Sequence, residues 1–184
     1  MRVSTQVRLV QWSMTAATLL LAVSAALSAA ALIHLGTLHL RMVSAAQVAQ
    51  VRADLTSALE TASVTVVMVA AVAVFMRRPS GKVRVAVWIV APLVSLTTLC
   101  FLVGGPEWAV EPTGAEPELL REEYAQVVPA WYVWPHGTAG LLAVALLIFT
   151  AVFMTRTDLR EHYMDAGDDP KRPYRSWVER TGGP

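Results

Sequence analysis

The sequence predicts an all-α integral membrane protein that crosses the bilayer with four helices. Of its 184 residues, 55% are hydrophobic and 16% are charged, whereas soluble proteins average roughly 45 to 50% apolar and about 25% charged residues. Four stretches also lack Asp, Glu, Lys and Arg altogether, namely 9–40, 61–76, 85–106 and 125–155. A spanning helix needs about 20 predominantly apolar residues. These two observations exclude a disordered chain and disfavour a soluble domain.

The limits of each span follow from its flanking residues. We place the four spans at residues 11–35, 57–76, 83–103 and 134–154. The second charge-free stretch is short, but Ser57 and Glu60 have the spacing of a capping box, in which the two side chains bond free amides at a helix start. This spacing predicts that the second helix begins at Ser57. Pro92 predicts a kink in the third helix.

The first apolar stretch has a second interpretation, as a cleaved secretory signal. Arg2 and Arg8 precede it, and Ala29, Ala30 and Ala31 offer small residues for cleavage. The apolar core of a signal peptide is about 7 to 15 residues long, however. Because this stretch is far longer, we expect it to be retained as a membrane anchor.

The basic residues predict the orientation of the chain in the membrane. With the N-terminus inside, 12 of the 15 Lys and Arg residues lie in cytoplasmic segments. Short cytoplasmic loops of membrane proteins have such an excess of Lys and Arg. The second outer loop, residues 105–133, contains six Glu and one Arg. We therefore expect a multi-pass plasma-membrane protein with both termini in the cytoplasm. Its 13 Arg against 2 Lys favour a bacterial, GC-rich source.

Two segments outside the spans have a predicted structure. In the outer loop, Glu118 follows a proline and precedes apolar residues at helical spacing, which predicts a short amphipathic helix on the outer surface. The transmembrane domain is predicted to occupy residues 1–165. A partly extended cytoplasmic tail follows at 166–184, with Tyr174 and Trp177 as its aromatic anchors.

Several function classes are disfavoured by what the chain contains. A net charge of +1 is too small for a nucleic-acid-binding surface, and the single cysteine, Cys100, cannot form an intramolecular disulfide or a redox pair. No span has an ionisable residue at its middle, although proton-coupled carriers need one. The sequence also lacks a Gly-x-Ser-x-Gly nucleophile motif. We expect no enzyme, no catalytic residue, no bound metal and no cofactor.

Two histidines keep one cofactor hypothesis open. His34 ends the first predicted span and His136 begins the fourth. If the first helix tilts, their depths agree, and two imidazoles facing each other could ligate a haem iron, or a divalent metal together with Glu60 and Asp54. The alternative, which we favour, is that both are histidines tolerated at a membrane interface.

Three surfaces are candidates for binding a partner. Ala22, Ala26 and Ala30 form a face of small residues on the first helix, and such faces let two helices approach closely in lipid. Packing inside the protein's own bundle is the favoured interpretation of this face, and docking of a partner helix is the alternative. The other two candidates are the acidic outer loop, through Glu118 and Glu122, and the tail, through its aromatic anchors.

Taken together, the sequence favours a non-enzymatic membrane protein that acts as an accessory or scaffold subunit. Its expected partners are the lipid bilayer and another membrane protein or further copies of itself. A small oligomeric transporter or channel component is the first alternative, and a haem- or metal-binding redox protein is the second.

Overall fold

The computed structural model describes residues 3–41, 43–77, 80–106, 118–156, 159 and 163. All regular secondary structure in these residues is helical. The five helices are α1 (Val3–Thr37), α2 (Ala45–Phe75), α3 (Gly81–Val103), α4 (Glu118–Val127) and α5 (Ala130–Phe153). All except α4 are long and apolar enough to cross a membrane, which confirms an all-α protein with four candidate spans. The predicted tail anchors Tyr174 and Trp177 lie outside the described residues.

The start of α2 corrects the sequence prediction. Ser44 is the N-cap of α2. Its hydroxyl accepts a hydrogen bond from the main-chain N–H of Gln47 at 3.2 Å. The side-chain Oε1 of Gln47 accepts one from the main-chain N–H of Ser44 at 3.1 Å. Ser57 and Glu60 are exposed residues inside α2, so the predicted capping box there is wrong. The helix begins earlier because the buried side chains of Val51 and Leu55 anchor its polar first turns to the protein core.

The four long helices form a closed ring in the order α1, α2, α3, α5. Each packs against its two neighbours, and the contact between α2 and α3 is the least extensive of the four. In both α1 and α2 a series of buried positions recurs at alternating intervals of four and three residues. In α1 this series is Val10, Met14, Ala17, Leu21, Ser24, Ser28, Ala31 and Leu35, and Gln6 and Ser13 are buried in addition. This average spacing of about 3.5 residues is that of left-handed helix bundles.

The two ends of the bundle have separate apolar cores. The start of α1, the end of α2, the start of α3 and the end of α5 meet at what we call the terminal end, where the core includes Val10, Met76, Val83 and Met154. The opposite end, here the α4 end, has its own core. It is built from Ala31, Leu35, Val43, Val51, Leu55, Tyr124, Val127 and Tyr132.

Two of the helices are longer than a bilayer requires. The 35 residues of α1 and the 31 of α2 extend about 52 and 46 Å at 1.5 Å per residue, whereas the hydrocarbon core is about 30 Å thick. The first turns of α2, residues 45–56, contain Arg52 and Asp54. Together with α4 and the α1–α2 loop they form a folded cap at the α4 end.

Candidate functional site

The central polar contact of the bundle joins α1 to α5. The Ser24 hydroxyl lies 2.8 Å from His136 Nδ1, and Ser24 is buried. The imidazole also stacks on Tyr132, one turn earlier in α5, with ring centroids 4.9 Å apart and planes at 25°. Two neighbours from different helices therefore fix the ring plane of His136.

His136 lines a small crevice that the four long helices enclose. The hydroxyl-bearing residues of its wall are Ser24, Thr61, Thr65 and Thr98, and the apolar ones are Leu21, Ala58, Ala62, Phe101, Leu102 and Gly140. The cavity holds about 30 Å³, which is enough for about two water molecules. Its lining contains hydrogen-bonding groups but no carboxylate, ammonium or guanidinium group.

Three polar groups of this lining remain available for a ligand. The Thr65 hydroxyl donates to the Ala62 carbonyl oxygen at 2.9 Å. By contrast, the hydroxyls of Thr61 and Thr98 and the Nε2 atom of His136 make no hydrogen bond to any other described residue. A threonine in a helix usually bonds its own backbone, so two threonines without that bond in one crevice are a distinctive feature.

The crevice lies beside the last turns of α3, which are less buried than its first turns. Ser95 is the last fully buried residue of α3, and residues 96–103 are half-buried or exposed. α3 nevertheless stays close to α5 at Gly140, where an added Cβ would lie 3.4 Å from Thr98 Cγ2 and from both Leu102 Cδ atoms. The missing side chain of Gly140 therefore sets the distance between these two helices beside the crevice.

The two candidate haem ligands do not come together. His34 Nε2 lies 3.2 Å from the Gln126 carbonyl oxygen, and its ring meets Trp131 edge-on at 5.8 Å. Because His136 bonds Ser24, ten residues before His34 in α1, the two imidazoles differ in height by about 15 Å. The hypothesis that their depths agree is therefore wrong, because His136 lies level with Ser24 of α1 and not with His34.

The metal hypothesis that included Glu60 and Asp54 has no geometric support either. Glu60 is exposed on α2, and an Asp54 carboxylate oxygen accepts a hydrogen bond from Gln50 at 3.0 Å on the same helix. Among the described residues, no three His, Cys, Asp or Glu side chains are grouped so as to hold a metal ion.

Comparison with known proteins adds no functional assignment. No family model, curated protein or solved structure matches the chain.

The small-residue face of α1 points away from the bundle. Ala22, Ala26 and Ala30 are exposed, whereas the neighbouring Ser24 and Ser28 are buried. The interpretation that these three alanines pack inside the bundle is therefore wrong. The buried residues beside them, such as Ser24 and Ser28, pack inside the bundle, and the alanine face is exposed.

α4 is attached to the rest of the cap by a carboxylate that sequence reasoning did not single out. Glu123 accepts hydrogen bonds from the amides of Arg41 at 3.1 Å and Val43 at 3.1 Å. The predicted partner-binding residues Glu118 and Glu122 are exposed instead. Glu123 lies three residues after Leu120 and four before the buried Val127, so it shares the inner face of the helix, a periodicity signal that a count of acidic residues does not use.

Proposed function

We propose that this protein is a non-enzymatic accessory or scaffold subunit of the plasma membrane, and that it binds a transmembrane helix of a partner. The observation that carries the proposal is the exposed alanine face of α1, formed by Ala22, Ala26 and Ala30. Small residues at four-residue spacing allow close backbone approach, and van der Waals contact is what drives helix association in lipid.

The residues around the alanine face also fit a helix-binding surface. Trp12 and Leu19 toward the terminal end are 69% and 63% exposed, and Ile33 toward the α4 end is 72% exposed. The face is thus shallow at its middle and bulky at both ends. A partner helix that crosses at the middle gains close contact there and side-chain contact beyond it.

We further propose that both termini are cytoplasmic and that the cap is outside. Among the described residues, the basic residues at the terminal end are Arg8, Arg77, Lys82, Arg84 and Arg156. Those at the α4 end are Arg41, Arg52 and Arg121. This excess favours the terminal end as the cytoplasmic one. Tyr174 and Trp177 would then be available to a cytoplasmic partner, and Glu118 and Glu122 to an external one.

The test is co-purification of a double variant, Ala26→Leu with Ala30→Leu, from mild detergent. Both positions are exposed, and leucine is favourable in the bilayer core, so membrane levels should remain normal while stoichiometric membrane-protein partners are lost. The matched control is Ala71→Leu with Ala145→Leu, at exposed positions of α2 and α5. Equal partner recovery in both double variants would reject this face.

The same preparation tests the competing function. A pure homo-oligomer that moves solute across liposomes would support the small transporter and overturn the accessory role. If the sole partner is a second copy without transport, the alanine face is a homo-oligomer interface.

A further inference from the structure

We propose that the crevice enclosed by α1, α2, α3 and α5 binds the ester carbonyl group of a membrane glycerolipid. This site is separate from the alanine face of α1 and does not depend on the proposed accessory function. The chemistry of the lining, its depth in the bilayer and its access from the lipid all favour this ligand.

The lining offers hydrogen-bond donors without charge. The Ser24 hydroxyl and His136 Nδ1 share one hydrogen bond, and the tautomer of the imidazole decides which of the two donates. In the neutral tautomer whose Nδ1 accepts from Ser24, Nε2 has the hydrogen and is a donor. The hydroxyls of Thr61 and Thr98 add two more donors. A carbonyl oxygen accepts such bonds with its two lone pairs, whereas a phosphate would find no cation in this lining.

The depth of the crevice matches the ester region of one leaflet. Thr61 precedes Arg77 by 16 residues, and His136 precedes Arg156 by 20 residues. At 1.5 Å per residue the two levels are about 24 and 30 Å from the basic residues at the terminal end. The hydrocarbon core is about 30 Å thick, so both residues lie within about 6 Å of its opposite boundary, close to the ester groups of glycerolipids.

The crevice has the size and access for one carbonyl group. Its volume of about 30 Å³ excludes a whole headgroup but accepts a carbonyl group whose acyl chain stays outside the crevice. The helices that flank it, α2 and α3, are the least packed pair of the ring. Thr61, Thr98 and Phe101 are half-buried at this edge, so a lipid can enter sideways while its acyl chains remain in the bilayer.

The experiment uses the full chain in nanodiscs with a photoreactive phosphatidylglycerol whose diazirine lies close to the ester carbonyl. Labelling is read by mass spectrometry of peptides. We expect wild-type labelling in α2 and α3 near Thr61 and Phe101. Thr98→Val should reduce it roughly fivefold, the loss expected for one hydrogen bond. Valine retains the methyl group that faces Gly140, so this variant keeps the helix packing.

The matched control is the neighbouring residue Thr97. Its hydroxyl donates to the Leu93 carbonyl oxygen of its own helix at 2.8 Å and does not line the crevice, so Thr97→Val should leave labelling unchanged. Thr61→Val provides a second crevice variant whose expected loss is similar. Thermal unfolding of each variant shows whether the fold is retained.

Competition with unlabelled lipids identifies the group that is bound. A diester phosphatidylglycerol should compete with the probe, and the diether analogue, which has the same headgroup but no ester carbonyl, should compete at least roughly fivefold less well, since it loses every hydrogen bond that the carbonyl accepts. Equal competition by the two lipids would overturn the proposal. Equal labelling of wild type, Thr98→Val and Thr61→Val would overturn it too, because the crevice would then contain only water.

Discussion

Gln11 of α1 donates a hydrogen bond from Nε2 to the main-chain carbonyl oxygen of Met76 at 3.1 Å. The Tyr163 hydroxyl donates to the same oxygen at 3.3 Å. Met76 is the C-cap of α2, and the last carbonyls of a helix have no partner within it. Since Met76 is 1% exposed, two distant side chains satisfy an acceptor that little water reaches, and they tie the start of α1 to the end of α2.

Gln11→Leu should therefore lower the stability of the protein by about 0.5 to 1.5 kcal/mol, the net value of one hydrogen bond. Thermal unfolding in detergent measures the loss. Thr15→Val is the control, since the Thr15 hydroxyl is exposed and bonds only within α1, to the Gln11 carbonyl oxygen at 2.9 Å. An equal loss in both variants would show that the bond to Met76 contributes nothing of its own.

Tyr163 predicts a decline of stability in alkali. Burial raises the pKa of its hydroxyl above the ordinary value, which is about 10. The unfolded chain thus loses this proton at lower pH than the folded protein does, so stability is complete below about pH 10 and falls as the pH rises toward the folded pKa. Melting temperatures measured from about pH 8 to about pH 11 should fall less steeply in Tyr163→Phe. An identical slope would contradict this.

The spans were predictable from sequence, and the start of α2 was not. Long charge-free stretches identify spanning helices by physics that needs no tertiary context. A capping motif is weaker evidence, because Ser44 with Gln47 and Ser57 with Glu60 have the same spacing. Only the burial of Val51 against the cap core decides between them, and that burial depends on the packed structure.

The candidate site shows the same limit. His136 was identifiable as a polar residue at a span end, but its partner Ser24 lies 112 residues away. Their pairing depends on how far α1 and α5 are rotated and shifted against each other. No local pattern encodes that shift, which is why the sequence offered His34 as a candidate partner under the haem hypothesis and did not identify Ser24. The unpacked alanine face was likewise visible as a pattern, but its exposure was not.

The two capping motifs can be compared directly. Ser44→Ala should destabilise the protein by about 1 kcal/mol, since it removes the hydroxyl that accepts from the Gln47 amide at the start of α2. Ser57→Ala should change stability by less than about 0.5 kcal/mol, because Ser57 is an exposed residue inside the helix. Denaturant or thermal unfolding measures both. A larger effect at Ser57 would return the helix start to the position predicted from sequence.

Glu123 should determine whether α4 stays attached to the α1–α2 loop. In Glu123→Ala the amides of Arg41 and Val43 lose their carboxylate acceptor, so their hydrogen exchange should become faster. Glu122→Ala is the control, as its side chain is exposed and lies one residue away. Exchange mass spectrometry of the loop peptide distinguishes the two. Unchanged exchange in Glu123→Ala would mean that other contacts hold the loop.

Gly140 sets the distance between α3 and α5. An alanine Cβ at position 140 would meet Thr98 and Leu102 atoms at 3.4 Å, an ordinary contact, and alanine favours a helix over glycine by up to about 1 kcal/mol. Gly140→Ala should therefore be neutral or stabilising. Gly140→Leu has no room for its remaining atoms and should cost about 1 to 3 kcal/mol through overpacking.

Gly137 supplies the control for this substitution on the same helix. No atom lies within 4 Å of a Cβ placed there, so Gly137→Leu should unfold at a temperature close to that of wild type. If α3 instead moved aside easily, Gly140→Leu and Gly137→Leu would melt together. That result would show that α3 and α5 are not held at a fixed distance beside the crevice, and that the crevice can widen without a measurable loss of stability.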